Sequence, residues 1–331
     1  MSLKRWLLDN LRRAVGTQAI HNRLVDMAAR AEAATLSAKG GVVLPGSPYA
    51  RHLMPLDYLP SRDLRPRWGY GRPWHEGLAR LFSRDKANYV AVVAEMRRMS
   101  PFLEVIGRDF PARAASEPGW LGGPITALDL AILYYFVAHY RPATYLEIGS
   151  GVTTCFARRA ISDQGAKTRV VSIDPEPRTQ IDAICDEVIR DGLETADLKV
   201  FADLQPGDIV FMDGSHRSFM NSDVTVFMLD VMPLLKPGVI VHVHDVLLPE
   251  DYPEGFRHWY WNEQYLLAVY LLASADRVKI LMPSHYLTLD PELRRCLTPP
   301  LLPLDGCAEN FLSGGSLWFT HVDRPEERCE S

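Results

Sequence analysis

Short apolar runs recur from about residue 143 onward, and segments with helical periodicity separate them. The runs cover residues 143–148, 169–174, 187–190, 208–213, 239–245 and 277–282. Continuous apolar runs of this length are typical of parallel strands that helices cover on both faces. A further run at 316–322 follows a Gly-Gly pair that suggests a late hairpin, so we expect the last strand to be antiparallel. The pattern predicts a doubly wound α/β fold with a mostly parallel, seven-stranded, Rossmann-like sheet.

Apolar residues between these runs recur at helical spacing. They predict helices near residues 76–98, 126–139, 153–162, 179–185, 221–235 and 263–275. Thr126, and either Asn221 or Ser222, occupy N-cap positions, where a side-chain oxygen can accept a backbone N–H group. The turn-rich segment 118–124 contains Trp120. We interpret it either as a lid over a ligand site or as a structural turn with a core tryptophan.

The first 100 residues differ from the rest in pattern. Residues 3–35 have apolar side chains at helical spacing with Lys and Arg between them, which predicts a basic amphipathic helix. This helix, which carries Trp6, could lie on an anionic membrane surface, or it could dock on the main domain or on a second subunit of a homo-oligomer. Residues 39–74 are rich in Gly and Pro and predict an irregular connection. We therefore expect a helical extension in residues 1–100 and the sheet in residues 101–331.

Composition narrows the class of protein. The chain has 331 residues, of which 47% are hydrophobic, so it can bury one large core and an appendage. The net charge of −5 gives no basic surface for nucleic acid. Five cysteines without a Cys-x-x-Cys pair predict reduced thiols in a cytoplasmic protein rather than a disulfide framework or a zinc site. No apolar run reaches the roughly 18 residues of a membrane span, and we see no secretory signal pattern.

The strand predicted at 143–148 runs into a Gly-Ser-Gly turn at 149–151 and then into a helix. Such a turn puts free backbone N–H groups and the positive end of a helix dipole together, which suits an anionic ligand group. Thr153 replaces the third glycine of a dinucleotide fingerprint, which argues against a nicotinamide or flavin site, and a turn without a ligand is an alternative. The next strand ends at Asp174, where a carboxylate could accept the hydroxyls of a ribose.

An acid at the end of one strand, a Gly-x-Gly turn and an acid at the end of the next strand resemble the cofactor site of class I S-adenosylmethionine-dependent methyltransferases. The resemblance covers roughly residues 118–322. It implies that the acid and glycines of the turn line the methionine end of the cofactor, and that the second acid holds the ribose. The cofactor-binding residues that the resemblance implies are Glu147, Gly149, Ser150, Gly151, Thr154, Asp174, Asp191 and Asp213.

Two further strand ends carry groups suited to metal binding. Residues 213–216 are Asp-Gly-Ser-His, and residues 242–245 are His-Val-His-Asp. Carboxylates suit hard divalent cations such as Mg²⁺, and imidazole suits transition metals, so Asp213, His244 and Asp245 form a candidate metal set. A cation bound by substrate oxygens would lower the pKa of a hydroxyl and hold it near a methyl donor.

The Asp-Gly-Ser-His run, followed by a helix, a Pro-Gly pair and a strand ending in His-Asp, resembles the methyltransferase-24 group. Its relatives include metal-dependent sugar O-methyltransferases and, more distantly, catechol O-methyltransferases. The resemblance implies metal ligands at Asp213, His244 and Asp245, with His244 in the place of the usual Asp. It also implies a general base at His216, whose imidazole has a resting pKa suited to this task. His216 and Asp213 are therefore the candidate catalytic residues.

Three further features near these strand ends can be interpreted as structural. His242 points to the same face as His244 but lies deeper, so we expect a hydrogen-bonded core histidine. Asp223 is expected to support the start of a helix. The aromatic segment 258–265 could contact a sugar ring or a planar aglycone, or it could pack as a core under a long loop.

The sequence as a whole predicts an S-adenosylmethionine-dependent enzyme that methylates a hydroxyl of a sugar, glycan or natural product, assisted by a divalent metal. One alternative is a metal-free methyltransferase of the same fold. Another is a non-catalytic cofactor-binding module that its N-terminal helix recruits to a glycan-assembly complex. A nicotinamide oxidoreductase is the weakest alternative.

Overall fold

In the part of the chain that the structure describes, the helices pack against one mostly parallel sheet. The strands are β1 (Gly107–Asp109), β2 (Gly119–Leu121), β3 (Thr144–Ile148), β4 (Arg169–Ile173), β5 (Glu187–Ile189), β6 (Ile209–Met212), β7 (Ile240–Val243), β8 (Val278–Pro283) and β9 (Leu317–His321). β1 and β2 pair separately, and the other seven form a sheet in the order β5-β4-β3-β6-β7-β9-β8. β9 is antiparallel to both neighbours, and the remaining pairs are parallel. The predicted fold class and the antiparallel last strand are confirmed.

This computed structural model describes residues 65–109, 116–121, 123–177, 179–257, 259–299, 301 and 309–322. The amphipathic segment 3–35 and its predicted membrane or subunit contact lie outside the described residues. Residues 65–331 form a unit distinct from 1–64. None of the helices described in that unit combines the length and the apolar character needed to cross a bilayer.

The helices flank the sheet and account for most of the expected periodic segments. They are α1 (Glu76–Phe82), α2 (Lys86–Arg98), α3 (Ser100–Leu103), α4 (Ala127–Tyr140), α5 (Val152–Asp163), α6 (Lys199–Ala202), α7 (Asp223–Val226), α8 (Glu263–Ala273), α9 (Ser284–Leu289) and α10 (Pro291–Arg294). α7 continues through a π-helical turn at Phe227–Val231 and a 3-10 turn at Met232–Leu234. Thr126 caps α4 and Ser222 caps α7, as expected from the sequence.

Apolar burial explains why these elements pack as they do. Every residue of β6 and β7 is buried, including His242, as expected of strands that are covered on both faces. α4 is buried on all sides from Ala127 to Ala138, because it lies between the sheet and other helices rather than at the surface. α1 and α2 contribute Phe82 and Tyr89 to the same hydrophobic core.

The order of the strands determines where a ligand site can form. The chain leaves β3 for β4 and β5 on one side and then returns to β6 on the other side of β3. The carboxyl ends of the strands beside such a reversal in strand order enclose a crevice. The segments that follow β3, β4, β6 and β7 begin at Gly149, Asp174, Asp213 and His244, so this edge gathers the predicted site residues.

Two local expectations differ from the structure, and one open alternative is decided by it. The segment predicted as a helix at 179–185 has only a 3-10 turn at Asp182–Ile184. β8 and β9 are antiparallel neighbours, but α9 and α10 lie between them, so they do not form a hairpin. Trp120 is 1% exposed and packs on Phe156 and Phe311, so it is a core residue.

Candidate functional site

The turn after β3 lies directly against the end of β6. Gly149 has a φ of +80°, a conformation that side chains other than glycine rarely adopt. A Cβ at this position would lie 2.0 Å from the carbonyl oxygen of Asp213. Since that oxygen belongs to the backbone, it cannot move aside as a flexible side chain would. Glycine at position 149 therefore allows the turn after β3 to lie against Asp213, the first residue after β6.

The backbone N–H groups of the turn are used inside the protein. Gly149 N donates to the Ile173 carbonyl at 3.1 Å, and Ser150 N donates to Asp174 Oδ2 at 2.8 Å. Gly151 N donates to Thr154 Oγ1 at 3.1 Å. The sequence predicted free N–H groups here, and the structure differs because two side-chain oxygens accept them. The turn is consequently rigid, and it holds the Asp174 carboxylate at its rim.

Gly151 is the position at which the turn leaves room for a ligand. Its φ of 176° is extended backbone that any residue can adopt. No heavy atom lies within 4 Å of the place where its Cβ would stand. Neither backbone strain nor a protein contact therefore requires glycine at this position. Open space beside a strand-to-helix turn, next to a carboxylate that still has lone pairs for hydroxyls, fits an adenosyl cofactor.

Glu147 and Thr154 lie beneath the turn and are both completely buried. Thr154 Oγ1 donates to Glu147 Oε2, and Tyr145 Oη donates to Glu147 Oε1 at 3.0 Å. Burial raises the pKa of Glu147 to about 7, although the hydroxyls that donate to it oppose the shift. These residues support the turn from within the protein. Asp191, which follows β5, is exposed at the edge of the sheet.

The raised pKa of Glu147 predicts a pH-dependent stability. A carboxyl with a folded pKa of about 7 and an unfolded pKa of 4.5 binds more protons when folded, so stability falls as pH rises through this range. The loss is about 3 kcal/mol, at roughly 1.4 kcal/mol per pKa unit. Glu147→Gln should remove this component when urea unfolding is compared at pH 5 and pH 8. The exposed Glu194→Gln variant serves as the control, and equal pH dependence in all three proteins would contradict the assignment.

His216 is the centre of a cluster at the ends of β6 and β7. Its Nε2 lies 3.4 Å from Asp213 Oδ1 and 3.3 Å from Asp245 Oδ2. Its Nδ1 lies 2.9 Å from Oε2 of Glu263, which is 1% exposed. One ligand atom each from Asp213, His216 and Asp245 lie within 4.8 Å of one another, a separation compatible with a shared metal ion. The cluster thus has one buried imidazole between two partly open carboxylates and one buried carboxylate.

The electrostatics of this cluster favour a positive charge. Burial by itself lowers the pKa of His216, but the hydrogen bond and charge of Glu263, together with the charges of Asp213 and Asp245, raise it to about 9. An imidazole with this pKa holds a proton at neutral pH. A cation beside Asp213 and Asp245 would offset their charges and so favour the neutral imidazole.

Two of the cluster residues have unusual backbone conformations. His216 has a φ of +61° and Asp245 has a φ of +54°. Residues other than glycine rarely adopt these values, and such strain is concentrated at functional sites. The contacts that hold both residues must therefore offset a local cost.

The loop that carries His216 is held on both sides. Asp223, at the start of α7, accepts Ser215 N and Ser215 Oγ, each at 2.6 Å. The carbonyl of His216 accepts Asn262 N at 3.0 Å, and Asn262 Oδ1 accepts Ser218 N at 2.6 Å. Asp223 thus supports the loop that carries His216 as well as the start of its own helix.

The aromatic segment forms one wall beside the cluster. The Trp261 ring lies 4.4 Å from the His216 ring, and it contacts Trp259, Phe256 and Tyr252. Trp259 is 38% exposed, whereas Tyr252 is 8% exposed. The wall therefore combines core packing with an exposed aromatic surface. His258 lies outside the described residues.

His242 lies within β7, His244 directly follows it, and both are deeply buried. His242 stacks on Phe211 with ring centroids 3.7 Å apart, as expected of a core histidine, and burial holds its pKa well below the usual value. Its Nδ1 has no partner among the described residues, so the expected hydrogen bond is not seen for that atom. His244 is 5% exposed, and its Nε2 lies 3.8 Å from Asp245 Oδ1. The structure groups His216, rather than His244, with the two carboxylates.

Glu263 was not identified from the sequence. Its partner His216 is 47 residues away, and Glu263 reads as the first residue of an apolar helix. The only available signal was an acid followed by an amide at the start of a helix after an aromatic loop. That signal gives no indication of a histidine partner.

The model of the methyltransferase-24 family, described as a methyltransferase domain, matches residues 146–246. No curated protein sequence matches the chain significantly.

Several solved structures are similar to the chain. The methyltransferase PaMTH1 of Podospora anserina, bound to S-adenosylhomocysteine (SAH), is 16% identical with a TM-score of 0.37, covering 77% of this chain and 100% of that chain. An O-methyltransferase of Bacillus cereus in complex with SAH is 16% identical with a TM-score of 0.36, covering 70% and 91%. MycE of the mycinamycin pathway, in complex with Mg, SAH and mycinamycin VI, is 14% identical with a TM-score of 0.36, covering 60% and 55%.

The family match spans the strands and turns that form the candidate site, from β3 to the end of β7. Residues 146–246 therefore match the methyltransferase-24 family, and this match, together with the Rossmann-like sheet, fits an S-adenosylmethionine-dependent methyltransferase.

Proposed function

We propose that the protein is an O-methyltransferase that transfers the methyl group of S-adenosylmethionine to a hydroxyl of a small molecule, with a divalent cation at Asp213 and Asp245. The observation that carries this proposal is the position of His216. Glu263 holds its Nδ1, and its Nε2 faces the two carboxylates at 3.4 and 3.3 Å. This arrangement supplies an oriented base beside oxygen ligands for a cation.

The cofactor would lie at the glycine turn. Gly151 leaves open space there, and Asp174 is fixed by Ser150 N and Glu176 N while its oxygens still have lone pairs for the ribose hydroxyls. When bound, S-adenosylmethionine supplies an activated methyl group on a sulfonium. Gly149 brings the turn against the backbone of Asp213, so the cofactor and acceptor regions adjoin.

The cation would be held by Asp213 and Asp245, whose side chains are 22% and 31% exposed and can accept an ion without complete desolvation. When bound, it would lower the pKa of a coordinated hydroxyl and stabilise the developing negative charge. The sequence placed His244 in the metal set. Because it lies outside the cluster, we propose that it supports Asp245 instead.

His216 would remove the proton of the acceptor hydroxyl. Glu263 accepts Nδ1–H, which leaves the Nε2 lone pair available for the proton. Loss of this proton would prepare the acceptor oxygen for the methyl group that bound S-adenosylmethionine would supply. The products would be the methyl ether, SAH and a protonated His216.

The aromatic wall supports an acceptor with a ring. Trp261 lies beside the His216 imidazole, and Trp259 extends the wall to an exposed surface. Aromatic faces suit a sugar ring or a planar aglycone, so we propose a hydroxyl of a sugar, glycan or natural product. We also propose a cytoplasmic location on the ground of the free thiols at Cys155, Cys185 and Cys296.

The test is transfer of a labelled methyl group from S-adenosylmethionine to a panel of phenols, catechols and glycosides, with Mg²⁺ or with EDTA. We expect methyl ether formation that EDTA abolishes and Mg²⁺ restores. Asp245→Asn should weaken Mn²⁺ binding, measured by calorimetry, by about 10–100-fold, because a neutral amide oxygen is a poorer ligand for a hard cation. Cofactor binding should be unchanged.

Other outcomes would separate the alternatives. Full activity in EDTA would establish a metal-free methyltransferase. Calorimetric binding of S-adenosylmethionine without transfer to any hydroxylated acceptor would favour a non-catalytic module. Undetectable heats with both the wild type and Asp174→Ala would eliminate the cofactor assignment.

A further inference from the structure

A buried carboxylate on α4, Asp129, has no part in the proposed reaction, yet its hydrogen bonds lead to the site. It is 3% exposed. Its Oδ2 accepts Gly315 N at 2.9 Å and Thr126 Oγ1 at 2.8 Å, and its Oδ1 accepts Ser284 Oγ at 2.6 Å. A buried carboxylate needs such donors, because burial without them is costly. Asp129 thereby joins α4 to the segment that precedes β9.

The segment that Asp129 holds is the turn at 313–316. Ser316 N donates to Ser284 Oγ at 2.7 Å, so this serine connects the carboxylate to the turn a second time. A Cβ at Gly314 would lie 2.6 Å from Ser284 Oγ. The turn is thus packed tightly against the first residue of α9, and its position follows that of Asp129 and Ser284.

The same turn contacts the end of β7. The Gly315 carbonyl accepts Val246 N at 2.8 Å, which is the amide directly after Asp245. The place of a Cβ on Gly315 lies 3.8 Å from both Cα and Oδ1 of Asp245. Ser316 Oγ lies 3.4 Å from His244 Nδ1. The turn therefore contacts both residues that follow β7.

The backbone of Asp245 is held by a contact from outside β7. Its φ of +54° is uncommon for a residue with a side chain, although Asp adopts it more readily than most, so a neighbouring hydrogen bond helps to keep it in place. The bond from Val246 N to Gly315 is such a contact, and Gly315 is itself fixed by Asp129.

We propose that Asp129 is a positioning residue that fixes the turn at 313–316 and, through Gly315, the backbone and carboxylate direction of Asp245. The inference rests on the proposed function insofar as Asp245 holds a cation. Groups that orient metal ligands typically contribute 10–100-fold to metal affinity. The part of the inference that concerns the backbone of Asp245 is independent of any metal.

The experiment compares the full-length wild type with Asp129→Ala. Mn²⁺ affinity, measured by calorimetry, should fall by about 10–100-fold, whereas S-adenosylmethionine affinity should change by less than about threefold. Hydrogen exchange of the Val246 amide in the metal-free protein should become faster. Asp129→Asn should restore most of the Mn²⁺ affinity, because it keeps an oxygen for Gly315 N while Ser284 Oγ can donate to the Ser316 carbonyl at 3.1 Å.

Thr126→Ala is the matched control. It removes another partner of Asp129 and the cap of α4, at a cost of about 1 kcal/mol, but it leaves the contact with Gly315. Its Mn²⁺ affinity and Val246 exchange should equal those of the wild type. If Asp129→Ala does not fold, Ser284→Ala provides the second variant, and it should shift both measurements in the same direction.

Wild-type values of Mn²⁺ affinity and Val246 exchange in Asp129→Ala would overturn the inference. Equal losses in Asp129→Ala and Thr126→Ala would also overturn it, since they would indicate general destabilisation. A wild type that binds no Mn²⁺ would refute the proposed cation site. In that case Val246 exchange decides the positioning role: faster exchange in Asp129→Ala alone supports it, and unchanged exchange refutes it.

Discussion

His216→Asn should lower kcat for methyl transfer by about 10²–10⁴-fold, the usual contribution of a general base. Asn is suited to this test because it tolerates the left-handed backbone that His216 adopts, with a φ of +61°. The variant loses the nitrogen that faces Asp213 and Asp245 but retains a polar side chain. The measurement is SAH formation at saturating cofactor, with the acceptor that responds in the transfer assay.

Binding measurements on the same variant distinguish the two tasks that Nε2 could perform. If His216 is the base, Mn²⁺ and S-adenosylmethionine affinities should stay within about threefold of the wild type. If the imidazole is instead a third metal ligand, Mn²⁺ affinity should fall together with kcat. A kcat within threefold of the wild type would show that the proton leaves by another route.

Glu263→Gln provides the companion variant. It keeps the shape of the side chain but removes the charge that holds His216 Nδ1 at 2.9 Å. Since the charge of Glu263 raises the pKa of His216, the variant should shift the acidic limb of the kcat profile to lower pH. No movement of that limb would mean that His216 does not set it.

Gly149→Ala should destabilise the fold by about 2–5 kcal/mol and abolish detectable cofactor binding. The left-handed backbone costs alanine about 1–2 kcal/mol. The overlap of its Cβ with the Asp213 carbonyl, 2.0 Å away, adds about 1–3 kcal/mol because the end of β6 must shift. Urea unfolding and calorimetric titration of S-adenosylmethionine measure the two effects.

Gly151, two residues after Gly149, provides a control in which stability should be kept while cofactor binding is weakened. Gly151→Ala should leave stability nearly unchanged, because its backbone is extended and no atom lies within 4 Å of the new Cβ. It should weaken S-adenosylmethionine binding about tenfold or more, equivalent to about 1.4 kcal/mol, if the cofactor uses that space. Wild-type affinity in Gly151→Ala would place the cofactor elsewhere.

The fold was predictable because its strands are buried on both faces. The run 208–213 is wholly apolar between its two end residues, so its pattern is unambiguous, and the structure has β6 within it. The antiparallel character of the last strand was also predicted. Its insertion between β7 and β8 was not, because periodicity identifies a strand but not its neighbours.

The sequence predicted that the candidate site residues gather at the carboxyl edge of the sheet. It did not predict how their side chains are arranged there. Strand ends place Asp213 and Asp245 near each other, whereas the choice between His216 and His244 depends on a loop. His216 turns towards the carboxylates through a left-handed backbone, and Glu263 meets it from another helix. Neither the left-handed backbone of His216 nor its contact with Glu263 can be predicted from the spacing of apolar residues in the sequence.

The position of β9 has a consequence for how the protein is made. This strand follows the other described strands in sequence but lies between β7 and β8, so until it arrives β8 has no partner and β7 lacks one of its two partners. The turn that supports Asp245 directly precedes it. During synthesis on the ribosome, β3, β4 and β5 can therefore assemble early, whereas the end of β7 acquires its final geometry only once β9 has been inserted.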